Sequence, residues 1–240
     1  MKKSIVTPDV TGFPYDIPEE EKVMVDIEAT YDPVGDSVAG IKQFILDAGS
    51  DSLQTCGGNY EGGIYLQQVP GELAPCLIEL LKYKNEIKSY LEIGSAAGGS
   101  AYIFNHFFNL NKIVLVDDNK HHWAGLRKGT LKDVNYREII GRSESEESIR
   151  TISDFNMLFD LIMIDGDHSY TNTKLDVTLY LRFLRSGGFL FLHDTVYSPQ
   201  GNGRVARELK ADIGMEFVGE YIAEKGPKLG IALFRKAATA

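Results

Sequence analysis

The sequence has little cysteine, no long apolar run and no excess of positive charge, and each shortage narrows the function. Its only cysteines, Cys56 and Cys76, lack a paired metal-ligand pattern and are expected to stay reduced without a role. No run approaches the roughly 18 apolar residues of a membrane span, and Lys2 and Lys3 are not followed by the apolar segment of a secretion signal. A net charge of -9 disfavours general binding to nucleic-acid phosphates or anionic membranes. We therefore expect a cytoplasmic protein with a small-molecule partner, and the sequence leaves homo-oligomer formation open.

Stretches rich in proline, serine or charge that would separate domains are also absent, and so are internal repeats. A chain of 240 residues, 43% of them hydrophobic, is long enough to bury one substantial core. We expect a single domain over residues 1–240, in which residues 1–69 form an N-terminal extension or lid-like region and residues 70–240 form the ligand-binding core. The glycine-rich segment 57–63 is either a lid over the site or a plain turn.

From residue 88 onward, short apolar runs alternate with amphipathic segments. Strands are predicted at 88–93, 112–116, 136–140, 159–164, 188–192, 215–223 and 229–235, and helices at 38–48, 70–82, 98–109, 121–131, 144–153, 170–184 and 203–212. This alternation predicts an α/β fold, a Rossmann-like doubly wound seven-stranded sheet that is mostly parallel, with helices on both faces. The short Gly226-Pro227 loop predicts that the C-terminal strand pairs antiparallel with the strand before it.

A glycine-rich turn follows the first of these core strands, in the segment Leu91-Glu-Ile-Gly-Ser-Ala-Ala-Gly-Gly-Ser100. Gly94 lets the chain reverse, and Gly98 lets the next helix approach a ligand closely. The spacing differs from the G-x-G-x-x-G of dinucleotide-binding folds and resembles the E-x-G-x-x-x-G motif of the class I S-adenosylmethionine (SAM) methyltransferases. The resemblance implies SAM as cofactor, bound near Glu92, Gly94, Ser95 and Gly98. Taken alone, the motif is also compatible with a plain structural turn.

A carboxylate at the end of the second core strand fits a nucleoside ligand. Lys112-Ile-Val-Leu-Val-Asp117 ends about twenty residues beyond Gly98, which is the distance at which nucleoside-binding α/β units place an acid on the ribose hydroxyls. Asp117 is predicted to fill that role, and Asp118 is the alternate because an error of one residue would exchange them. A solvated acidic loop is the other reading of either residue.

Polar residues are densest after two later strands, in Phe159-Asp-Leu-Ile-Met-Ile-Asp165-Gly-Asp-His168 and Gly188-Phe-Leu-Phe-Leu-His193-Asp194. Ligands of doubly wound sheets bind beyond the carboxyl ends of the strands, so Asp165 should face the turn after Ile93 and contact the cofactor. Two carboxylates at adjacent strand ends repel each other unless a cation or a proton lies between them. Asp165, His193 and Asp194 are therefore candidate ligands for Mg²⁺.

The same two segments resemble the metal-dependent small-molecule O-methyltransferases, especially a branch that modifies sugar hydroxyls of natural products. The resemblance covers about residues 68–236. It implies that Asp165, His193 and Asp194 bind the metal and that His168 is the general base. His193 departs from the family, which has an acid there, so either a softer metal such as Mn²⁺ binds or His193 stands aside from the metal.

Ser143 follows the third core strand, where a serine contacts the adenine in the same family. A helix N-cap is the alternative role for Ser143. Gln68, Pro70 and Glu72 resemble the family's segment before the first strand.

Methyl transfer from SAM requires an oxygen that has lost its proton, which a divalent cation and a nearby histidine can promote. A hydrogen bond that stabilises the loop is the other role open to His168. We expect a SAM-dependent enzyme that methylates a hydroxyl of a small molecule with the help of Mg²⁺ or Mn²⁺. The alternatives are metal-independent transfer to O, N or C, a nicotinamide-dependent oxidoreductase, and a non-catalytic SAM-binding regulator. The glycine spacing disfavours the oxidoreductase, and the arrangement around His168 disfavours the non-catalytic regulator.

Overall fold

The computed structural model describes residues 37–48 and 64–238. Its helices are α1 (Val38–Asp47), α2 (Pro70–Leu81), α3 (Gly99–Phe108), α4 (Arg127–Thr130), α5 (Glu146–Asp154), α6 (Tyr170–Tyr180) and α7 (Asn202–Leu209). Its strands are β1 (Ser89–Ile93), β2 (Lys112–Asp117), β3 (Arg137–Ile140), β4 (Phe159–Ile164), β5 (Leu184–His193), β6 (Met215–Tyr221) and β7 (Ile231–Lys236). Cys56, the candidate lid at 57–63 and most of the extension 1–69 lie outside the described residues.

The seven strands form one sheet in the order β3-β2-β1-β4-β5-β7-β6. Strands β1 to β5 run parallel, and β7 runs antiparallel to both β5 and β6. The predicted fold class, including the antiparallel C-terminal pairing, is confirmed. The chain order along the sheet reverses between β1 and β4, so a ligand crevice is expected at the carboxyl ends of these two strands.

Neighbouring residues of each central strand are buried on opposite faces of the sheet. Tyr90 and Met163 belong to a cluster covered by α1, α2 and α3, whereas Leu91 and Ile162 belong to a second cluster covered by α5, α6 and α7. Because both faces are covered, these strands are apolar throughout rather than alternating with polar residues. Among the described residues, no helix is both long and apolar enough to cross a bilayer.

Cys76 lies in α2 as a fully buried free thiol. Burial raises the pKa of this thiol well above its ordinary value. The side chain therefore stays protonated and packs as part of the core.

The continuous helix predicted over 121–131 is wrong. The segment contains a 3₁₀ turn at Ala124–Leu126 followed by the single α-helical turn of α4. Gly125 and Gly129 weaken helix formation here. The Arg127 side chain is also buried, so the segment is organised around that one cation rather than around an apolar helix face.

The predicted start of the fifth core strand is also wrong. The α6 helix is extended by a 3₁₀ turn at Leu181–Phe183, close to the predicted end at 184, but β5 begins at Leu184 instead of 188. Gly187 and Gly188 lie inside the strand, where the pairing with β4 shifts register. A Cβ atom on Gly188 would lie 3.0 Å from the backbone oxygen of Asp160, so the close approach of the two strands requires glycine.

Candidate active site

The turn after β1 lies directly against the loop after β4. The backbone N–H of Asp165 donates to Ile93 O at 2.9 Å, and a Cβ atom on Gly94 would lie 2.2 Å from Asp165 O. Gly94 also has a φ of 84°, which L side chains rarely adopt. The expected approach of the glycine turn and Asp165 is therefore confirmed, and it depends on a residue without a Cβ.

A cavity of about 690 Å³ opens at the carboxyl ends of the strands, within the usual size range of small-molecule sites. It brings together most of the residues predicted for the site, namely Gly94, Asp117, Asp118, Ser143, Asp165, His168, His193 and Asp194. Further lining residues that the sequence did not single out are Gln67, Asn172, Asp176, Tyr197 and Leu229. Gly98 lies outside this lining, where a Cβ atom would meet the Leu131 side chain at 2.8 Å.

A smaller recess beside the cavity is lined by Glu92, Ser95 and Ser100, and it shares Gly94 and Asp165 with the cavity. Glu92 Oε2 and Ser95 Oγ are buried and have no hydrogen-bond partner among the described residues. Burial and the charge of Asp165 raise the pKa of Glu92 to about 8. Unpaired buried polar atoms are costly, so a polar ligand group in this recess would stabilise it.

Asp117 lines the cavity, but protein groups already use both of its carboxylate oxygens. Oδ2 accepts from the backbone N–H of Ala96 at 2.8 Å, and Oδ1 accepts from the backbone N–H of Asn119 at 2.7 Å. Arg127 Nη2 lies 3.2 Å from Oδ1. Asp118 is exposed and pairs with Lys120 at 2.7 Å. Asp117 therefore joins the glycine turn to the loop after β2, and its role toward a ribose stays a prediction.

Arg127, which sequence reasoning missed, is 1% exposed beneath the glycine turn. Its guanidinium group donates to Ala96 O at 2.9 Å and pairs with Asp117 and Glu138. Such a buried cation is expected only where acids surround it. The sequence contains one indication of this role: Arg127 is a basic residue that follows the acidic end of the second core strand at Asp117.

Two carboxylates and two imidazoles meet at the ends of β4 and β5. His193 Nδ1 lies 2.9 Å from Asp165 Oδ1 and 3.1 Å from Asp194 Oδ2, so this nitrogen carries the hydrogen. His168 Nε2 lies 2.9 Å from the same Asp194 Oδ2. Asp194 has a φ of 58°, a left-handed conformation that Asp adopts more readily than most residues and that is common at functional sites.

The charges in this cluster shift the pKa values of His168, His193 and Asp194. Burial alone would lower the pKa of His193, but the charges of Asp165 and Asp194 raise it well above its ordinary value. Burial likewise opposes charging of His168, but its hydrogen bond with Asp194 raises the pKa of the ring. For Asp194, burial is outweighed by the two histidines, which hold the pKa of its carboxyl well below the usual range. The cluster therefore favours an ionised Asp194 beside a protonated His193, and the hydrogen bond with Asp194 makes the His168 ring a stronger base.

The donor set also suits a divalent cation. Asp165, His168 and Asp194 each offer one ligand atom, and these atoms lie within 4.8 Å of one another. Carboxylate oxygens are the ligands that Mg²⁺ and Mn²⁺ prefer, and an imidazole is acceptable to the softer of the two. The predicted set of Asp165, His193 and Asp194 thus shares its two acids with this group, whose histidine is His168. The geometry favours the expectation that His193 stands aside.

Two residues that precede β1 brace the cluster. Gln68 Nε2 donates to Asp165 Oδ2 at 2.9 Å, on the side of the carboxylate away from His193. Glu72 is fully buried, and its carboxylate accepts from the backbone N–H groups of Ala223, Leu229 and Gly230 at 2.9 to 3.2 Å. The segment that resembles the O-methyltransferase family therefore fixes both a site carboxylate and the loop that carries the cavity residue Leu229.

Ser143 lies at the other end of the cavity, after β3. Its hydroxyl donates to Asp176 Oδ1 at 2.6 Å. The cap of α5 is instead Ser145, whose side chain accepts from the backbone N–H of Ser148. The structure thus assigns the helix cap to Ser145 rather than Ser143, and Ser143 remains a candidate for ligand contact.

The strand order, the glycine turn and the cavity at the reversal point define the fold of the class I SAM-dependent methyltransferases. Solved structures with the same fold include an O-methyltransferase from Bacillus cereus in complex with S-adenosylhomocysteine (SAH), with a TM-score of 0.57 and 17% identity, covering 86% of this chain and 93% of that one. TomG, an O-methyltransferase from Streptomyces achromogenes in complex with SAM, gives a TM-score of 0.56 and 18% identity over 71% of this chain and 81% of that one. The methyltransferase MycE, in complex with Mg, SAH and mycinamycin VI, gives a TM-score of 0.52 and 18% identity, covering 73% of this chain and 50% of that one. At these identities the likeness establishes the fold.

Within that class, residues 91–195 match a family model described as a methyltransferase domain. The matched segment begins in β1 and ends beside Asp194, so it spans the glycine turn and the carboxylate–imidazole cluster. A curated relative, an uncharacterized protein of Acanthamoeba polyphaga mimivirus, is 25% identical over 127 residues, which cover 49% of this chain and 58% of the relative. The chain thus has the fold of the class I methyltransferases and carries a methyltransferase-domain match over residues 91–195, and it spans little more than half of that relative's length.

Proposed function

We propose that this protein transfers the methyl group of SAM to a hydroxyl oxygen of a small molecule. The observation that carries the proposal is the cavity, which joins the glycine turn after β1 to the Asp165, His168 and Asp194 cluster. A methyl donor held at the turn would present its sulfonium to an acceptor held at the cluster. The relatives named above that bind SAM or SAH carry the same fold, which supports the choice of donor.

We assign the recess at Glu92 to the amino group of SAM, because its volume of about 10 Å³ admits one small polar group. An ammonium group there would pair with Glu92 and Asp165, which lowers the cost of ionising a carboxyl that is neutral at pH 7 when the recess is empty. The carboxylate of the ligand would lie close to the N-terminus of α3 and to Ser100. The nucleoside would then extend past Asp117 toward Ser143. In this arrangement Asp117 shapes the ribose site mainly by holding the Ala96 turn.

The acceptor end requires a group that removes a proton from the hydroxyl. We assign this role to His168, because its side chain is 39% exposed at the cavity whereas that of His193 is 2% exposed. Asp194 orients the His168 ring and stabilises its charged form after proton transfer. Tyr197 lies edge-on to the ring, with centroids 5.8 Å apart, and limits how it turns.

Asp165 and Asp194 are the residues that would hold a divalent cation. In this version His168 is not a ligand, so its ring stays free to take the proton. Such a cation lowers the pKa of an acceptor hydroxyl and so makes it a better nucleophile. Gln68 keeps Asp165 turned toward the cluster in either case.

Metal-independent transfer to oxygen is a second candidate, and one observation favours it. His193 already places an imidazole N–H between Asp165 and Asp194, 2.9 and 3.1 Å from their oxygens. Its raised pKa lets it supply the positive charge that two adjacent carboxylates require. In that mechanism the acids hold the cofactor and the acceptor, and His168 alone takes the proton.

A panel of sugars, catechols and natural-product aglycones, incubated with methyl-labelled SAM with and without EDTA, tests both versions. Label transfer to a hydroxyl that stops in EDTA and returns with Mg²⁺ or Mn²⁺ supports the metal-assisted version. Transfer that is unchanged in EDTA supports the metal-independent one. Label found only on nitrogen or carbon acceptors would overturn O-methylation itself.

A further inference from the structure

The end of the cavity at Ser143, where the adenine of SAM would lie, contains a hydrogen-bonded pair that no step of the proposed reaction uses. Ser143 Oγ donates to Asp176 Oδ1 at 2.6 Å, and both residues line the cavity. Asp176 belongs to α6, is 2% exposed and has a carboxyl pKa raised by burial to about 6. At neutral pH it is therefore an ionised acceptor facing a hydroxyl.

A serine hydroxyl has one hydrogen, and this geometry commits that hydrogen to Asp176. Among the described residues, the hydroxyl has one other acceptor nearby, Glu144 Oε2, which lies at 3.5 Å, the limit of a hydrogen bond. Tyr180 donates its OH to Ser143 O at 2.8 Å, which fixes the backbone that carries the hydroxyl. Ser143 can thus present only lone pairs to a ligand in the cavity.

The donors that line the same end of the cavity have acceptors nearby. The guanidinium group of Arg142 pairs with Glu144, and its side chain is 66% exposed. The side-chain amide of Asn172 donates to Asp167. Asp176 and Glu144 therefore place carboxylate acceptors beside Ser143 at this end of the cavity.

We propose that Asp176, by fixing the Ser143 hydroxyl, makes this end of the cavity select a 6-amino purine and reject a 6-oxo purine. The exocyclic N–H of adenine would donate to Ser143 Oγ. A 6-oxo group would place an acceptor against an acceptor and leave both buried without a hydrogen, which is the arrangement that discriminates most strongly between similar ligands. Asp176 is in this account a positioning residue, and the inference rests on the proposed binding of SAM and SAH.

Calorimetric titration with SAH and with its deaminated analogue, S-inosylhomocysteine, tests the inference. The wild type should bind SAH at least about tenfold more tightly than the 6-oxo analogue, from the usual cost of an unsatisfied buried acceptor. Asp176→Ala frees the hydroxyl hydrogen and should reduce the ratio of the two dissociation constants to less than about threefold. Ser143→Ala should reduce it as well, because it removes both the hydrogen bond to the 6-amino group and the repulsion of the 6-oxo group. Asp154→Ala removes an exposed acid at the end of α5, outside the cavity lining, and should keep the wild-type ratio.

The ratio of the two dissociation constants distinguishes purine selection from a general loss of binding. If Asp176 had only a structural role, its replacement would weaken the binding of both ligands to the same extent. If Asp176→Ala does not fold, as judged by circular dichroism, Ser143→Ala decides the question. Equal binding of the two ligands by the wild type would overturn the inference and leave SAM binding intact, and so would a ratio unchanged in both variants. Binding of neither ligand by the wild type would overturn the proposed function and the inference with it.

Discussion

His168 Nε2 and Asp194 Oδ2 lie 2.9 Å apart, which joins the loop after β4 to the end of β5 through one imidazole. The same Asp194 oxygen is 3.1 Å from His193 Nδ1. One carboxylate oxygen therefore connects a histidine that faces the cavity with one that is buried. The account of the site depends on these two histidines having different roles.

His168→Ala should lower kcat by roughly 10²–10⁴-fold, the usual effect of removing a general base. SAH affinity should stay within about threefold of the wild type, because the ring lies at the acceptor end of the cavity. Steady-state kinetics and calorimetry on the same preparation provide the comparison. His122→Ala, which removes an exposed histidine outside the cavity lining, is the matched control and should keep full activity. Preserved kcat in His168→Ala combined with a lower melting temperature would assign the ring a structural role instead.

Asp194→Ala should abolish methyl transfer and should not be rescued by added Mg²⁺ or Mn²⁺, since it removes a ligand and the partner of both histidines. EDTA should likewise abolish turnover of the wild type, with recovery when either metal is added back. SAH binding should survive in Asp194→Ala far better than turnover does. Full wild-type activity in excess chelator would show that the two acids do not hold a catalytic cation.

Arg127→Ala should lower the free energy of unfolding by about 3–5 kcal/mol, because it leaves Asp117 and Glu138 as uncompensated charges in a buried setting. It should also weaken SAH binding, since the guanidinium group fixes Ala96 O in the glycine turn. Urea unfolding and calorimetry measure the two effects. Lys128→Ala, at the exposed neighbouring position, should change stability by less than about 0.5 kcal/mol. A destabilisation equally small in Arg127→Ala would refute the structural role given to Arg127.

Asp176 should make the protein less stable as pH rises. Burial, with the charges of Glu144 and Asp167, raises the pKa of Asp176 from 3.8 to about 6 and outweighs the hydrogen bond from Ser143. Between those two values the folded state keeps a proton that the unfolded state releases, so this group's contribution to stability declines from pH 4 to pH 6 and then stays constant. Asp176→Asn should lack that decline. Thermal unfolding of both proteins across this pH range measures it, and parallel curves would contradict the account.

The sequence predicted the sheet well, because β1, β2 and β4 are buried on both faces and are therefore apolar without interruption. The predictions for two other elements, the helix at 121–131 and the start of β5, were wrong. The segment predicted as a helix at 121–131 is organised around a buried arginine instead of an apolar face, and β5 begins four residues before the predicted start because its irregular pairing with β4 includes Gly187 and Gly188.

In the site, Asp165, His168 and Asp194 could be predicted because each follows the end of a strand, and strand ends converge in this fold. Arg127, Asp176 and Gln68 could not, because the hydrogen bonds that place them join residues 31, 33 and 97 positions apart in the chain. Which histidine faces the cavity also depends on side-chain burial, which spacing along the chain does not determine.

Calorimetric titration of the wild-type protein with SAH, and with NAD in parallel, tests most directly whether the cavity is the SAM site of a methyltransferase. We expect saturable one-to-one binding of SAH that Ser143→Ala weakens, and no binding of NAD. Binding of NAD without binding of SAH would contradict the assignment of the cavity to SAM.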